Sequence, residues 1–286
     1  MRPRLSARGL AIAALAAAEE GARANLELPA LLASSDLDQR DRAFSTELTY
    51  GTLRMLRACD WLIGQFAGRK LEPAVRAAAR AGVYQLVFMR VPAYAAVSAT
   101  VAEGPRRAQP LLNAVLRRVA ALVDAGPVAW PDQATELSYP DWVIGRLVQD
   151  LGHDRAIAAL RQMNSPASAH LRPDGYVQDP ASQMVGEHMV ALLEGRPPGP
   201  VLDVCAAPGG KATLLAQAGR LVAAADIAPE RVATVAANAA RLGVGNVTVL
   251  VADATAAPFR LASAAGVLVD APCSGLGVLR RRPDAR

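Results

Sequence analysis

Residues 201–211 read Val-Leu-Asp-Val-Cys-Ala-Ala-Pro-Gly-Gly-Lys, a pattern typical of a buried strand followed by a turn with two glycines and the start of a helix. Because glycine has no Cβ, the backbone of such a turn can approach a ligand closely, and free N–H groups of the first helical turn face the same point. The spacing matches neither GxGxxG nor GxxxxGK[ST]. The run therefore predicts an α/β unit that binds a nucleotide-like ligand without phosphates.

Short β-branched runs alternate with alanine-rich stretches from residue 201 onward, which favours a doubly wound parallel sheet. The predicted strands are 201–205, 221–226, 247–253 and 266–272, and the predicted helices between the first three are 211–218 and 229–242. Ligands of such sheets bind at the carboxyl ends of the strands. Four carboxylates are therefore expected at one edge of the sheet, namely Asp203, Asp226, Asp253 and Asp270.

Two of these carboxylates have a predicted task. Asp226 ends the second strand, where an acidic side chain can accept hydrogen bonds from both ribose hydroxyls. Asp253 ends the third strand, where a carboxylate can accept a hydrogen bond from an adenine amino group. Either aspartate alone is also explained as a helix cap or a surface carboxylate. Their combination with the glycine turn makes a cofactor site the better interpretation.

Residues 4 to about 125 show a helical pattern throughout, with apolar positions at helical spacing and loops marked by Gly, Pro and Asn. A length of 286 residues suits more than one hydrophobic core. We predict an all-α domain at 1–125, a linker and helical segment with a shortened subdomain at 126–175, and the α/β domain at 176–286.

Several helical segments resemble the NusB-like domain, a helical RNA-binding module. They are Asp-Arg-Ala-Phe at 41–44, Tyr-Gly-Thr-Leu-Arg at 50–54, Gly-Val-Tyr-Gln-Leu at 82–86, Val-Pro-Ala-Tyr-Ala-Ala-Val at 91–97 and Asn-Ala-Val-Leu-Arg-Arg at 113–118. The resemblance implies RNA as a partner. The arginines of these segments, Arg42, Arg54, Arg117 and Arg118, are interpreted either as solvated or as phosphate contacts.

Charge and cysteine content set weaker limits. The 31 Lys and Arg residues exceed the 26 acidic ones, and the net charge of +5 is explained by a solvated surface as well as by an RNA partner. Cys59, Cys205 and Cys273 lie far apart, and the three histidines have no metal-ligand spacing, which predicts a reducing cytoplasm and no metal site. No apolar run reaches the roughly 20 residues of a membrane span, so no membrane contact is expected.

Residues 203–211 and the run Val-Asp-Ala-Pro-Cys-Ser-Gly-Leu-Gly-Val at 269–278 closely resemble the signatures of RNA cytosine-5 methyltransferases. Together with the NusB-like segments, they resemble the RsmB (Sun, Fmu) branch, which modifies 16S ribosomal RNA. This implies a Rossmann-like methyltransferase fold with S-adenosyl-L-methionine as the cofactor. The residues that it implies for cofactor binding, with Arg231 near the methionine end, are Cys205, Ala206, Ala207, Pro208, Gly209, Gly210, Lys211, Asp226, Arg231, Asp253 and Asp270.

Methylation at C5 of cytosine needs a thiolate that adds to C6 and a base that removes the C5 proton. Asp270 and Cys273 supply an acid and a thiol after the fourth strand and are the predicted catalytic residues. By the resemblance, however, RNA enzymes use a cysteine of a Thr-Cys motif as the nucleophile, and the Pro-Cys cysteine assists product release. No Thr-Cys occurs among the 286 residues, so we expect a chain that is cut short at its end. By the same resemblance, the few residues between Arg172 and Val177 predict a shortened internal segment.

Two functions stay open on this basis. The chain is either an RNA cytosine-5 methyltransferase, with the basic residues 280–282 on the RNA backbone, or a catalytically inactive remnant that binds RNA or cofactor. A dehydrogenase is disfavoured by the glycine pattern. The incomplete sheet of about four strands is expected in the order 3-2-1-4, which leaves apolar residues 267–269 on an open edge and predicts low stability or self-association.

Overall fold

The computed structural model describes residues 5–166, 168–256, 258–260, 262–273, 275, 277 and 279–285. Contacts divide the chain into two compact units. The described residues of 1–167 and 276–286 form a helical unit, and those of 168–275 form a unit that contains the sheet. Within these described residues, every helix is too short or too polar to cross a bilayer.

The helical unit starts with a bundle whose core is rich in alanine and leucine. Its helices are α1 (Ala7–Glu19), α2 (Ala24–Ala33), α3 (Gln39–Arg54), α4 (Leu56–Ala67), α5 (Pro73–Val87), α6 (Ala93–Glu103) and α7 (Gln109–Asp124). Polar caps fix where helices begin, since the Ser6 side chain accepts from Gly9 N before α1 and the Asp38 side chain accepts from Asp41 N before α3. The prediction of an all-α first part is confirmed.

Helix α3 packs closely against Tyr84 of α5 at Gly51. A Cβ at this position would lie 2.1 Å from the ring carbon Cζ and from Oη of Tyr84. Tyr84 is buried, and its hydroxyl donates to Glu47 Oε1 at 2.6 Å, which leaves the ring little freedom to move. The contact therefore requires glycine.

The predicted linker packs as part of the helical unit. It carries α8 (Gln133–Leu137), α9 (Asp141–Leu151) and α10 (His153–Met163). Arg57 of α4 donates to Tyr139 O and to Asp141 Oδ1, and Trp130 stacks against Phe88 with ring centroids 6.3 Å apart. The boundary between the two compact units therefore lies later than residue 125. The hydrogen-bond partner of Tyr139 and Asp141 is more than 80 residues earlier in the sequence, so no local pattern indicates these contacts.

The second unit contains a parallel sheet in the order β3-β2-β1-β4, which confirms the predicted order 3-2-1-4. In this sheet, Val201 is paired with both Val222 and Gly266. The elements of the unit are α11 (Pro180–Leu192), β1 (Val201–Asp203), α12 (Gly210–Gln217), β2 (Val222–Asp226), α13 (Pro229–Arg241), β3 (Val247–Val251) and β4 (Gly266–Leu268). The strands β1, β3 and β4 end earlier than predicted, so the polar residues that follow β1 and β4 belong to turns.

Strand β4 lies at one end of the described sheet order. Leu268 is buried, whereas Val267 and Val269 are 52% and 64% exposed, as expected for an apolar row on an open edge. A groove of about 410 Å³ runs between β4 and α11. The self-association predicted from this edge stays a prediction.

We predict that Gly51→Ala lowers the free energy of unfolding by about 2–3 kcal/mol, because the new methyl group must displace the buried Tyr84 ring. The matched control is Gly64→Ala in α4, where a Cβ would meet nothing within 4 Å and the position is exposed. Gly64→Ala is expected to raise stability by about 0.5–1 kcal/mol, since alanine is the better helix former. Urea unfolding followed by far-UV circular dichroism measures both, and equal effects of the two substitutions would contradict the packing argument.

Candidate cofactor-binding and catalytic site

The turn between β1 and α12 comprises residues 204–209. Gly209 has φ of +101°, in the left-handed region that favours glycine. A Cβ on Gly209 would lie 3.1 Å from Val235 Cγ1, and a Cβ on Gly210 would lie 2.9 Å from Tyr176 Cε1. Gly209 is favoured by its backbone conformation and by the close approach of Val235, and Gly210 by close packing against Tyr176. Both reasons differ from the expected one, which was room for a ligand.

Asp226 lies at the end of β2 and is almost fully buried. Its Oδ2 accepts a hydrogen bond from Ala207 N at 3.3 Å, and its Oδ1 lies 3.4 Å from Nη1 of Arg231. Arg231 also donates to Ala207 O at 3.4 Å. The structure therefore brings the turn, Asp226 and Arg231 together in one cluster.

Lys211 and Asp270 join two parts of the site that are 59 residues apart in the sequence. The Lys211 Nζ lies 2.5 Å from Asp270 Oδ2, and the lysine side chain is largely buried while the aspartate is half exposed. Lys211 belongs to the first turn of α12, and Asp270 follows β4. This ion pair places the glycine turn next to the segment that carries Cys273.

Asp203, at the end of β1, is the most deeply buried carboxylate of the site, with 1% of its surface exposed. Among the described residues, neither of its carboxylate oxygens has a hydrogen-bond partner. Burial raises the pKa of Asp203 to about 6, while the nearby Cys205 peptide N–H and the Lys211 cation oppose the shift. The carboxylates of Asp270 and Asp226 act in the same direction as burial. Asp203 is therefore a carboxyl group that changes charge near neutral pH.

Asp253 follows β3 and differs from the other three aspartates of the edge. It is exposed, and its Oδ1 accepts from Thr255 N at 2.8 Å and from Thr255 Oγ1 at 2.7 Å. These hydrogen bonds lower the pKa of Asp253. They also account for Asp253 as a local capping residue, the alternative left open by the sequence, so its adenine contact stays a prediction.

The three cysteines occupy different surroundings. Cys59 is fully buried, and burial raises the pKa of its thiol well above the usual range. Burial also raises the pKa of Cys205, and the negative charges of Asp226, Asp203 and Asp270 raise it further. Cys273 is exposed, and its Sγ accepts a hydrogen bond from Gly275 N at 3.4 Å. Of the three cysteines, Cys273 is the most exposed.

Arg172 and its neighbours contact the glycine turn although no motif marked them. The Arg172 side chain is 4% exposed and donates to Gly210 O at 2.7 Å. Tyr176 and Gln178 pack against the position where Gly210 lacks a Cβ. Arg172 and Gly210 are 38 residues apart, so no local sequence pattern connects them. The only signal for Arg172, Tyr176 and Gln178 was their position in or next to the predicted shortened segment.

The residues of this edge fit S-adenosyl-L-methionine, which carries a sulfonium and an ammonium cation, a ribose diol and a carboxylate. The carboxylates of Asp226 and Asp270 suit the cations and the diol. The first helical turn from Gly210 has N–H groups without partners in the helix, which suit a carboxylate. In the described part of the chain, no cluster of three or more His, Cys, Asp or Glu side chains has the arrangement of a metal site.

The basic residues of the helical unit are partly engaged with the protein itself. Arg54 is 4% exposed, which corrects both interpretations given to it, a solvated side chain and a phosphate contact. Arg42 donates to Leu37 O at 2.8 Å, and Arg280 donates to Ser165 O at 2.9 Å. Arg282 Nη2 lies 3.8 Å from Asp284 Oδ2. Residues 280–282 are thus not a free basic tail.

Comparison with known proteins gives consistent matches for both units. A family model described as 16S rRNA methyltransferase RsmB/F matches residues 190–286, and a model described as the NusB family matches residues 5–121. Ribosomal RNA small subunit methyltransferase B of Thermus thermophilus is 35% identical over 98% of this chain and 74% of that protein. The protein of the same name from Pseudomonas putida is 32% identical over 100% of this chain and 77% of that protein.

A solved structure titled "Crystal Structure of PH0851" has a TM-score of 0.69 and 20% identity, covering 100% of this chain and 78% of that chain, which shows a likeness of fold. The alignment with the Pseudomonas putida protein spans 347 positions, more than the 286 residues of this chain. That relative therefore has residues within the aligned stretch that this chain lacks. This agrees with a shortened internal segment, whose place between Arg172 and Val177 stays a prediction.

Asp203 gives a testable pH dependence. Because its pKa is raised in the folded protein, ionisation opposes folding as the pH rises from the unfolded value near 3.8 through about 6. Asp203→Asn removes this cost, so we expect the variant to gain stability over the wild type by roughly 1–2 kcal/mol more at pH 8 than at pH 4.5. Urea unfolding of both proteins at the two pH values measures the difference. If the two proteins differ in their free energy of unfolding by the same amount at pH 4.5 and at pH 8, the raised pKa is wrongly assigned to Asp203.

Proposed function

We propose, from the premise that the chain belongs to the RsmB/F family of 16S rRNA methyltransferases, that it transfers a methyl group from S-adenosyl-L-methionine to C5 of a cytosine in 16S ribosomal RNA. The observation that carries the proposal is the Lys211–Asp270 ion pair. It joins the glycine turn of the cofactor motif to the segment with the exposed Cys273 thiol. A cofactor held at the turn would therefore lie beside the catalytic acid and thiol.

The cofactor would be held by the turn and by carboxylates at the strand ends. The proposed binding residues are Cys205, Ala206, Ala207, Pro208, Gly209, Gly210, Lys211, Asp226, Arg231, Asp253 and Asp270. Asp226, which accepts from Ala207 N and lies beside Arg231, would accept hydrogen bonds from the ribose hydroxyls. When bound, S-adenosyl-L-methionine supplies a methyl carbon made electrophilic by its positively charged sulfur.

Cys273 and Asp270 act on the cytosine. The Cys273 thiolate adds to C6 and forms an Sγ–C6 bond, which moves the electron pair of the C5–C6 double bond to C5. C5 would then take the methyl group of a cofactor held at the turn, and the S–CH₃ bonding pair would stay with the cofactor sulfur. A base removes the C5 proton, the double bond re-forms, and the Sγ–C6 bond breaks to release the thiolate. The Asp270 carboxylate accepts a hydrogen bond from the cytosine amino group or from a protonated N3 and so orients the ring for these steps.

RNA binding is assigned to the helical unit together with the site. The match of residues 5–121 to the NusB family supports this assignment. A cytosine must leave any base stack before a thiol can reach C6, so a single-stranded or loop region of the RNA is the expected target. We place this activity in the cytoplasm, in agreement with three separate cysteines and an intracellular RNA.

We predict that Cys273→Ala and Cys273→Ser each lower methyl transfer to 16S RNA by about a thousandfold or more, because the thiolate forms the bond that activates C5. The measurement is transfer of tritiated methyl from S-adenosyl-L-methionine to the RNA. Covalent trapping on RNA that contains 5-fluorocytosine should succeed with the wild type and fail with both variants.

Cofactor affinity and melting temperature of the two variants serve as controls, since Cys273 is exposed and its loss should leave both unchanged. Transfer that persists without the thiol, or an adduct that accumulates in the variants, would give Cys273 a role in product release rather than in attack. A wild-type chain that binds cofactor and RNA but never transfers methyl would be the inactive remnant considered from the sequence.

A further inference from the structure

The segment 170–178 forms a tight hairpin beside the glycine turn. Leu171 and Val177 form an antiparallel bridge, and Arg172 N donates to Tyr176 O at 2.9 Å. Gly175, with φ of +80°, closes the turn by donating its N–H to Arg172 O at 2.9 Å. This hairpin directs the Arg172 side chain towards α12.

The Arg172 guanidinium connects the hairpin with the first two turns of α12. On the hairpin side, Nε and Nη2 form a two-pronged contact with the carboxylate of Asp174, and the guanidinium lies 5.0 Å from the centre of the Tyr176 ring. On the helix side, Nη1 donates to Gly210 O at 2.7 Å, and Nη2 donates to Gln217 Oε1 at 3.2 Å. One side chain thus bridges the two elements, which are also joined by a hydrogen bond from Gln217 Nε2 to Asp174 Oδ2 at 2.7 Å.

The atom that Arg172 holds belongs to the cofactor turn itself. Gly210 begins α12, and its carbonyl also accepts from Thr213 Oγ1, which donates to Gly209 O at 2.8 Å as well. A peptide plane is rigid, so fixing the carbonyl of Gly210 also fixes the N–H of Lys211. That N–H is one of those in the first helical turn that face a bound ligand.

Stability alone does not require a buried guanidinium at this place. Taking a charge out of water is costly, and apolar side chains of similar volume often replace buried ion pairs without loss of stability. The hydrogen bonds of Arg172 are directional and meet the backbone of the turn, which an apolar side chain cannot reproduce. The arrangement therefore favours orientation of the turn as the task of this residue.

We infer that Arg172 is a positioning residue that holds the Gly209–Gly210 turn in the conformation that binds S-adenosyl-L-methionine. The inference rests on the proposed function, because it deepens the account of the same site. The Asp174 carboxylate holds the Arg172 guanidinium in place. Its pKa is strongly lowered, first by its hydrogen bonds with Arg172, in agreement with a lasting ion pair.

Arg172→Lys tests the inference, since lysine keeps the charge but cannot bond Asp174 with two prongs and reach Gly210 O at once. The control is Arg220→Lys in the same unit, because Arg220 Nη2 donates to Leu193 O at 2.6 Å and thus bonds a backbone carbonyl that lies outside the turn. Titration calorimetry of the full chain with S-adenosyl-L-methionine should show a Kd raised about tenfold for Arg172→Lys and unchanged for Arg220→Lys. Asp174→Asn should act in the same direction, by about threefold.

Two further readouts separate positioning from mere structural support. The KM for S-adenosyl-L-methionine should rise with Kd, while kcat at saturating cofactor and the KM for RNA stay within about twofold. Hydrogen exchange of the amides of residues 209–213 should become faster in Arg172→Lys than in Arg220→Lys. If the melting temperature falls in both variants and the Kd of Arg172→Lys is unchanged, the inference is overturned but the proposed function is not. A wild-type chain without affinity for the cofactor would overturn the proposed function as well.

Discussion

Close packing around the Gly209–Gly210 turn is the constraint on which the site depends. Val235 of α13 presses on one glycine, and Tyr176 of the hairpin presses on the other. The turn that connects β1 with α12 therefore has its place set by two elements outside the motif that contains it. A substitution in either neighbour would move the turn even though the motif itself remained intact. The recognisable sequence is thus only part of the proposed cofactor site, and packing residues from outside the motif form the rest.

Charge pairing explains why three carboxylates can meet at one edge of the sheet. Asp226 Oδ1 lies 3.4 Å from Arg231 Nη1, and Asp270 Oδ2 lies 2.5 Å from Lys211 Nζ, so each of these carboxylates has a basic side chain beside it. Asp203 has no hydrogen-bond partner among the described residues, and it is the one whose pKa is raised to about 6. Like charges at close range disfavour each other's ionisation, so two pairs and one protonatable acid form a stable combination. A cation that enters this edge would favour the ionised form of Asp203.

The sequence predicted the parts of the fold that depend on local pattern. Alternation of apolar runs and alanine-rich stretches was enough for the four strands, and their order was expected from the resemblance to a Rossmann-like methyltransferase fold. The carboxyl ends of those strands then located the carboxylate edge. Arg172, by contrast, acts through contacts 38 to 45 residues away. Trp130 likewise stacks on the ring of Phe88, just after α5, although the segment that contains Trp130 was predicted to be a linker. Such contacts depend on how the helices and strands pack against one another in the folded protein, so no short stretch of sequence predicts them.

The same limit applies to the choice between the two cysteines of the site, and here the structure supplies the missing criterion. Cys205 and Cys273 both follow strands at the ligand edge, and each stands in a recognisable motif. Cys205 is half-buried among Asp226, Asp203 and Asp270, whose charges add to burial in raising its pKa. A thiolate there would face three acids, so this position suits a packing residue. Cys273 lies exposed in the segment that follows β4, three residues after Asp270 of the Lys211–Asp270 pair. The surroundings of Cys205 thus favour a packing role for that residue, and the exposed Cys273 stays the proposed reactive thiol.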